Sequence, residues 1–291
     1  MIQDLLAEGV LVATIGLVAM PLVSRRFRTA FSPTQLTRYN SVTMITGLAL
    51  LLVALVACAV PVARAIAGVE LPDRHFFPGD AIVGWVSAAV AFVVVGSFAI
   101  GYRRTRNLER ILAVEPSLGI HIDRGDHELI ILATAHSIAY AVGTRQHRQI
   151  VISEGLMAKL SVRELVAVVE HEAAHLRLGH RSDLALIAMV EPLSVVLAPL
   201  RRLTEVARAG LERAADAATS DHAATRSALL TLSGMNPHPG VAAFTSGDLA
   251  DRVDALAIAE TPNAALRAAL YAVASTLAGV SAWTLVRFWF L

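Results

Sequence analysis

Apolar residues are not spread evenly along this chain but gathered into long runs that carry no charge. Three precede residue 103, at Gly9 to Ser24, Ser41 to Ala63 and Ala81 to Tyr102, and a fourth, Ala268 to Val286, closes the sequence. A helix needs roughly 20 apolar residues to cross the hydrocarbon core. The second and third runs reach that length, and the first reaches it with Leu5 to Glu8 included. No Lys or Arg precedes the first run, as a secretory signal would require, so it reads as a retained helix. Between His121 and Ser153 the pattern changes to short β-rich pieces at Ile120 to Ile122, Leu129 to Ala133, Ser137 to Val142 and Gln149 to Ser153, which predict a small sheet. From Ser161 onward helical periodicity returns, opened by a capping box of Ser161 with Glu164 and closed at Gly179.

One apolar stretch is ambiguous. Leu184 to Leu200 is interrupted only by Glu191, and its length approaches that of a span. Glu191-Pro192 falls in its middle, which predicts a bent, re-entrant or buried helix in place of a crossing.

Composition supports a membrane protein: 55% of the 291 residues are hydrophobic and 17% charged, with a mean hydropathy of +0.59, too apolar for an ordinary soluble domain. A net charge of +1 leaves no global field for nucleic acid. Cys58 is the single cysteine, so neither an internal disulfide framework nor a cysteine metal site is available. The arginines report topology. Arg25, Arg26, Arg28 and Arg38 fill the first loop, whereas Glu70, Asp73 and Asp80 balance the second, and Arg103, Arg104, Arg106 and Arg110 follow the third run. The positive-inside rule then predicts an outside amino terminus, a cytoplasmic segment from Arg103 to about Ala265, and a last helix that exits from Arg267, with Arg287 snorkelling. The expected division is three transmembrane helices over 1–102, a cytoplasmic domain over 103–265 and a carboxy-terminal transmembrane helix over 266–291.

The chemistry concentrates in His171-Glu172-Ala173-Ala174-His175. Two His four residues apart on a helix present both imidazoles on one face, where they can share a tetrahedral zinc ion. Glu172 beside them is a candidate catalytic base, able to take a proton from water activated by the metal and pass it to a leaving amine. A third ligand is needed. Glu212, with Asp216 one turn later on another alanine-rich helix, is the leading candidate, and Asp216 is then spaced to accept a hydrogen bond from a ligating imidazole. His180, just past Gly179, is the lesser candidate for the ligand. A single membrane crossing by Leu184 to Leu200 would separate His175 from Glu212, and metal ligands must lie about 2 Å from one ion. Tyr140, Arg213 and His222 are candidates for stabilising an oxyanion.

These residues carry a resemblance to the BlaR/MecR family of membrane antirepressor metallopeptidases and, more distantly, to the HtpX and CAAX-prenyl endopeptidases. The segment Gln149 to Met157 and the pair Arg252 and Leu256 share in it, and it covers about residues 130 to 260. The resemblance implies a membrane α-helical bundle joined to an α+β, zincin-like metallopeptidase domain, mostly α with a small sheet. It implies a bacterial plasma-membrane zinc endopeptidase that cleaves a cytoplasmic or membrane-proximal protein, a transcriptional repressor being the signalling substrate. An edge strand beside the catalytic helix would bind an extended substrate. BlaR/MecR sensors continue into an extracellular penicillin-binding domain for which this sequence has no counterpart, so direct β-lactam sensing is not expected. HtpX-like quality control of membrane proteins, and a non-catalytic scaffold stabilised by metal, are the alternative functions.

Overall fold

The structure, a computed structural model, describes residue 16 and residues 30–67, 78–114, 118–143, 148–194, 198–233, 246–257 and 262–290. The first expected span, 9–24, lies outside the described residues except for Gly16. Among the described residues, three helices are long and apolar enough to cross a membrane. Helix α1 runs Pro33–Ile66, α2 Pro78–Val114 and, at the other end of the chain, α9 Ala264–Phe290. Their apolar windows are Pro33–Val56, Trp85–Leu112 and Ala264–Trp283, overlapping the expected runs at 41–63, 81–102 and 268–286. Phe92 is 80% exposed and Trp283 62%, an arrangement that lipid satisfies and water does not.

Each start has a local cause. Ser32 and Gln35 cap α1 reciprocally, the Gln35 N–H donating to Ser32 Oγ and the Ser32 N–H to Gln35 Oε1, with Pro33 in the first helical position. Asn263 caps α9 through the Leu266 N–H at 3.0 Å. Helices α1 and α9 meet around Phe31, Leu36, Tyr39, Leu270 and Ala274, where the Tyr39 hydroxyl donates to Leu270 O.

Between α2 and α9 the described residues form a four-stranded sheet and six helices. Strands β1 (Ile120–Asp123), β2 (Glu128–Leu132), β3 (Ala139–Gly143) and β4 (Arg148–Ser153) are ordered β1-β2-β4-β3. The β1–β2 and β3–β4 pairs are antiparallel, while β2 and β4 run parallel in the register Ile130 to Val151. The sheet's edges are therefore β1 and β3. One face buries Leu129, Ile150 and Ile152 against helices α4 (Val162–Leu178) and α7 (His222–Ser233). Ile130, Leu132 and Val151 point the other way, as strand alternation requires. Short α3 (Glu154–Met157) links β4 to α4. Helix α5 (His180–Ser194) and α6 (Ala198–Asp216) follow α4, and α8 (Ser246–Ala257) lies beyond α7.

Two details add to the expected organisation. Helix α5 contains Pro192 and continues to Ser194. Proline leaves the carbonyl four residues earlier, that of Ala188, without its helical donor. That same carbonyl is the place where α2 crosses, and a Cβ on Gly101 would collide with it. The second concerns residue 102, the expected end of the third span. Helix α2 runs through it to Val114, and Met44 and Leu48 of α1 share one core with Ile187, Val190, Leu203 and Leu211 of α5 and α6.

Candidate metal centre

Helix α4 is delimited by its own sequence. The Ser161–Glu164 capping box is formed at its start, and Gly179 ends it in the left-handed conformation, φ 75°. His171 and His175 lie one turn apart on this helix. Their Nε2 atoms are 3.1 Å apart. Glu212 enters from α6, its Oε2 3.4 Å from His171 Nε2 and its Oε1 3.6 Å from His175 Nε2. Among the described residues these three form the one group of His, Cys, Asp or Glu side chains able to hold a metal ion.

The three separations test whether an ion fits. Ligands ~2.0–2.1 Å from a tetrahedral centre are separated from each other by about 3.3 Å; the two imidazole nitrogens are 3.1 Å apart, and each has a Glu212 oxygen, Oε2 for His171 and Oε1 for His175, at 3.4 and 3.6 Å. Charge agrees with geometry. Burial alone would lower the His171 pKa, but the hydrogen bonds to Asp216 and Glu212, reinforced by their charges, raise it to about 10. Burial would raise the Glu212 carboxyl, yet the His171 hydrogen bond and the charges of His175, His171 and Arg252 hold it well below the usual carboxylate range. The cluster therefore calls for a cation, and without metal a proton on His171 serves as one.

A second ring of contacts orients these groups. Asp216 Oδ1 lies 2.9 Å from His171 Nδ1. His180, 2% exposed, lies behind His175 with the two Nδ1 atoms 2.9 Å apart. Burial pushes the His180 pKa down to about 4, and the neighbouring His175 acts in the same direction. Arg252 on α8, 1% exposed, donates Nε to Asp216 Oδ2 at 2.6 Å and Nη2 to Oδ1 at 2.7 Å, and its Nη1 reaches Glu212 Oε2 at 3.2 Å. Burial raises Asp216, but the Arg252 and His171 hydrogen bonds outweigh it and hold its pKa low. The loop after α6 is tied to α4: the Ser220 N–H and hydroxyl donate to Glu170 at 2.7 and 2.8 Å, and Arg163 pairs with Asp221 at 2.6 Å.

His171, Glu172, His175, Glu212, Asp216 and Tyr140 all line one cavity of about 830 Å³, within the range of ligand-binding clefts. The edge strand β3 forms one wall, and Leu108 and Leu112 of α2 belong to another. Of the candidate oxyanion donors, only Tyr140 is at the cavity, and its hydroxyl donates to Leu112 O at 3.3 Å. Arg213 does not line it, because one residue's step rotates a helical side chain about 100° from the face bearing Glu212. His222 is exposed at the start of α7, also away from the cavity lining. Sequence reasoning assigned no role to Arg252. Its signal was indirect: two carboxylates buried one turn apart require a positive partner. His180, weighed there as a ligand, instead contacts His175 Nδ1.

Residues 102–238 match the model of peptidase family M48. No curated protein and no solved structure matches the chain. The match covers α2's final turns, the sheet and both arms of the metal cluster, and it supports a metal-dependent peptidase. The narrower likeness to BlaR/MecR proteins rests on the sequence features alone.

Proposed function

We propose that the chain is a zinc endopeptidase anchored in the bacterial plasma membrane, in which His171, His175 and Glu212 hold the ion and Glu172 is the catalytic base. One observation carries this reading: the His171–His175–Glu212 cluster opens onto the cavity that the edge strand β3 also lines. When bound, a divalent ion supplies Lewis acidity towards a peptide carbonyl and acidifies water. Glu172, half-buried and lining the same cavity as both imidazoles, takes the proton of the attacking water and returns it to the leaving nitrogen. Asp216 accepts from His171 Nδ1–H and neutral His180 accepts from His175 Nδ1–H, so each ring keeps its Nε2 lone pair for the ion. Arg252 offsets the buried carboxylates.

An extended substrate segment binds along β3 by main-chain hydrogen bonds, which favour shape and extension over sequence. With an active-site domain on the cytoplasmic side, as the arginine clusters suggest, the substrate is a cytoplasmic or membrane-proximal protein. Activity of a periplasmic reporter fused near residue 145 would overturn that orientation.

The central test pairs metal analysis of purified protein with cleavage of an unstructured protein substrate. One zinc per chain is expected, with cleavage abolished by chelation and restored by zinc. Glu172→Ala should retain the metal and lose about 10²- to 10⁴-fold in kcat; unchanged cleavage would refute the assigned base and favour a scaffold. Proteomics of cells carrying Glu172→Ala then separates substrates, one accumulating repressor indicating signalling and many misfolded membrane proteins indicating quality control.

A further inference from the structure

Helix α1 places Thr37, Asn40, Ser41 and Met44 on one face, at helical spacing, against α5 and α6. The junction is tight: with Asp183, Ile187, Ala207 and Leu211 these residues enclose a cavity of only about 10 Å³, room for one water at most. Two polar contacts cross it. The Thr37 hydroxyl, 3.0 Å from Pro33 O in its own helix, also lies 3.1 Å from Gly210 O of α6. The Ser41 hydroxyl donates to Asp183 Oδ1 of α5 at 2.5 Å.

Both contacts end next to the metal cluster. Gly210 is two residues before Glu212, and Leu211 between them is 1% exposed in the core shared with Met44 and Leu48 of α1. Asp183 is three residues after His180, which touches His175. One helix thus grips the carboxylate arm through α6 and the imidazole arm through α5. Metal–ligand distances tolerate only about ±0.2 Å, so small displacements of α6 against α5 matter.

Resting on the metal-site reading above, we propose that Thr37 and Ser41 are positioning residues for the metal cluster: through Gly210 and Asp183, a helix apolar enough to span the bilayer sets the placement of Glu212 against the two imidazoles. Movement of α1 then changes metal affinity without any change of ligand.

The test uses the full chain in lipid nanodiscs, with Zn²⁺ affinity from chelator competition and the visible absorption of bound Co²⁺ as a report of coordination geometry. Thr37→Val and Ser41→Ala should each weaken Zn²⁺ binding about fivefold, below the 10–100-fold typical of a direct partner of a ligand, and should alter the Co²⁺ bands. Thr37→Ser should restore wild-type behaviour, and Val42→Ala, on the same helix but 61% exposed, should match wild type. Asp183→Ala, which removes the acceptor of Ser41, should match the loss in Ser41→Ala, giving an independent reading if Thr37→Val does not fold; wild-type affinity in Asp183→Ala and Ser41→Ala together would overturn the proposal. Wild-type affinity and spectra in both Thr37→Val and Ser41→Ala, with Glu212→Gln unable to bind, would overturn the positioning role alone. An equal loss in Val42→Ala would also overturn it, since the effect would then be general to the helix. Full binding by Glu212→Gln would bring down the metal-site reading and this inference together.

Discussion

The two arms of the metal cluster are built differently. The imidazole arm, α4, carries its own instructions: a capping box at Ser161, an αL glycine at residue 179 and two His one turn apart. The carboxylate arm, α6, presents Glu212 and Asp216 at the same helical spacing but is held by distant parts of the chain. Arg252 reaches it from α8 across 36 residues, and Thr37 from α1 across 173. The start, stop and His spacing of the imidazole arm are set within its own sequence, whereas the carboxylate arm is held by contacts from α8 and α1. Destabilising α4 locally should therefore cost fold stability, and destabilising the surroundings of α6 should cost metal affinity as well.

The sharpest challenge to this contrast is Arg252→Met. Removing the guanidinium leaves the buried Asp216 and Glu212 to share one cation, protonated His171, a loss of about 3–5 kcal/mol expected in denaturant unfolding of the metal-free protein, partly recovered on adding zinc. An unfolding free energy equal to wild type would show that α6 does not depend on α8.

The metal-free cluster should also respond to pH. His171 has its pKa raised from the ordinary 6.5 to about 10 in the folded state, so its stabilising contribution is complete below about pH 6.5 and lost as pH rises through about 10. Urea midpoints of the metal-free protein should fall across that window, and Asp216→Asn should flatten the fall. A flat profile in wild type would contradict the His171–carboxylate pairing.

His180→Ala removes the partner of His175 Nδ1 and should weaken Zn²⁺ binding about 10- to 100-fold, with a smaller loss for His180→Gln. Equal affinity in both variants and wild type would leave His175 oriented by packing alone. The smallest effect belongs to the local arm. Ser161→Ala should lower stability by about 1 kcal/mol in thermal unfolding and leave Zn²⁺ affinity unchanged; a large affinity loss would erase the distinction between the arms.

Much of this architecture was legible in the residues. Long charge-free runs mark α1, α2 and α9 because span length is a backbone constraint that any lipid-facing helix must meet. The four β-rich pieces fall within one or two residues of the strands at their boundaries. What periodicity could not rank was the strands' order: alternation reports which face a side chain takes, not which strand lies at an edge, so the position of β3 at an edge and on the cavity wall needed the sheet itself. The passage of α2 through residue 102 was hidden for a similar reason. Charge marks where lipid ends, and a helix can continue beyond that point, as Thr105, Leu108 and Leu112 do into the cavity wall.

The sequence by itself determined each face of the candidate site, because residues four apart on a helix must share a side, and it determined the caps that start and stop α4. Tertiary structure alone decided that those faces meet at 3.1–3.6 Å, that Tyr140 and not Arg213 or His222 borders the cavity, and that Arg252, His180 and Thr37 stand behind the cluster. The reason is range: helical geometry acts over one or two turns, while a charge pair between residues 216 and 252 or a hydrogen bond between residues 37 and 210 exists only after the intervening chain has packed.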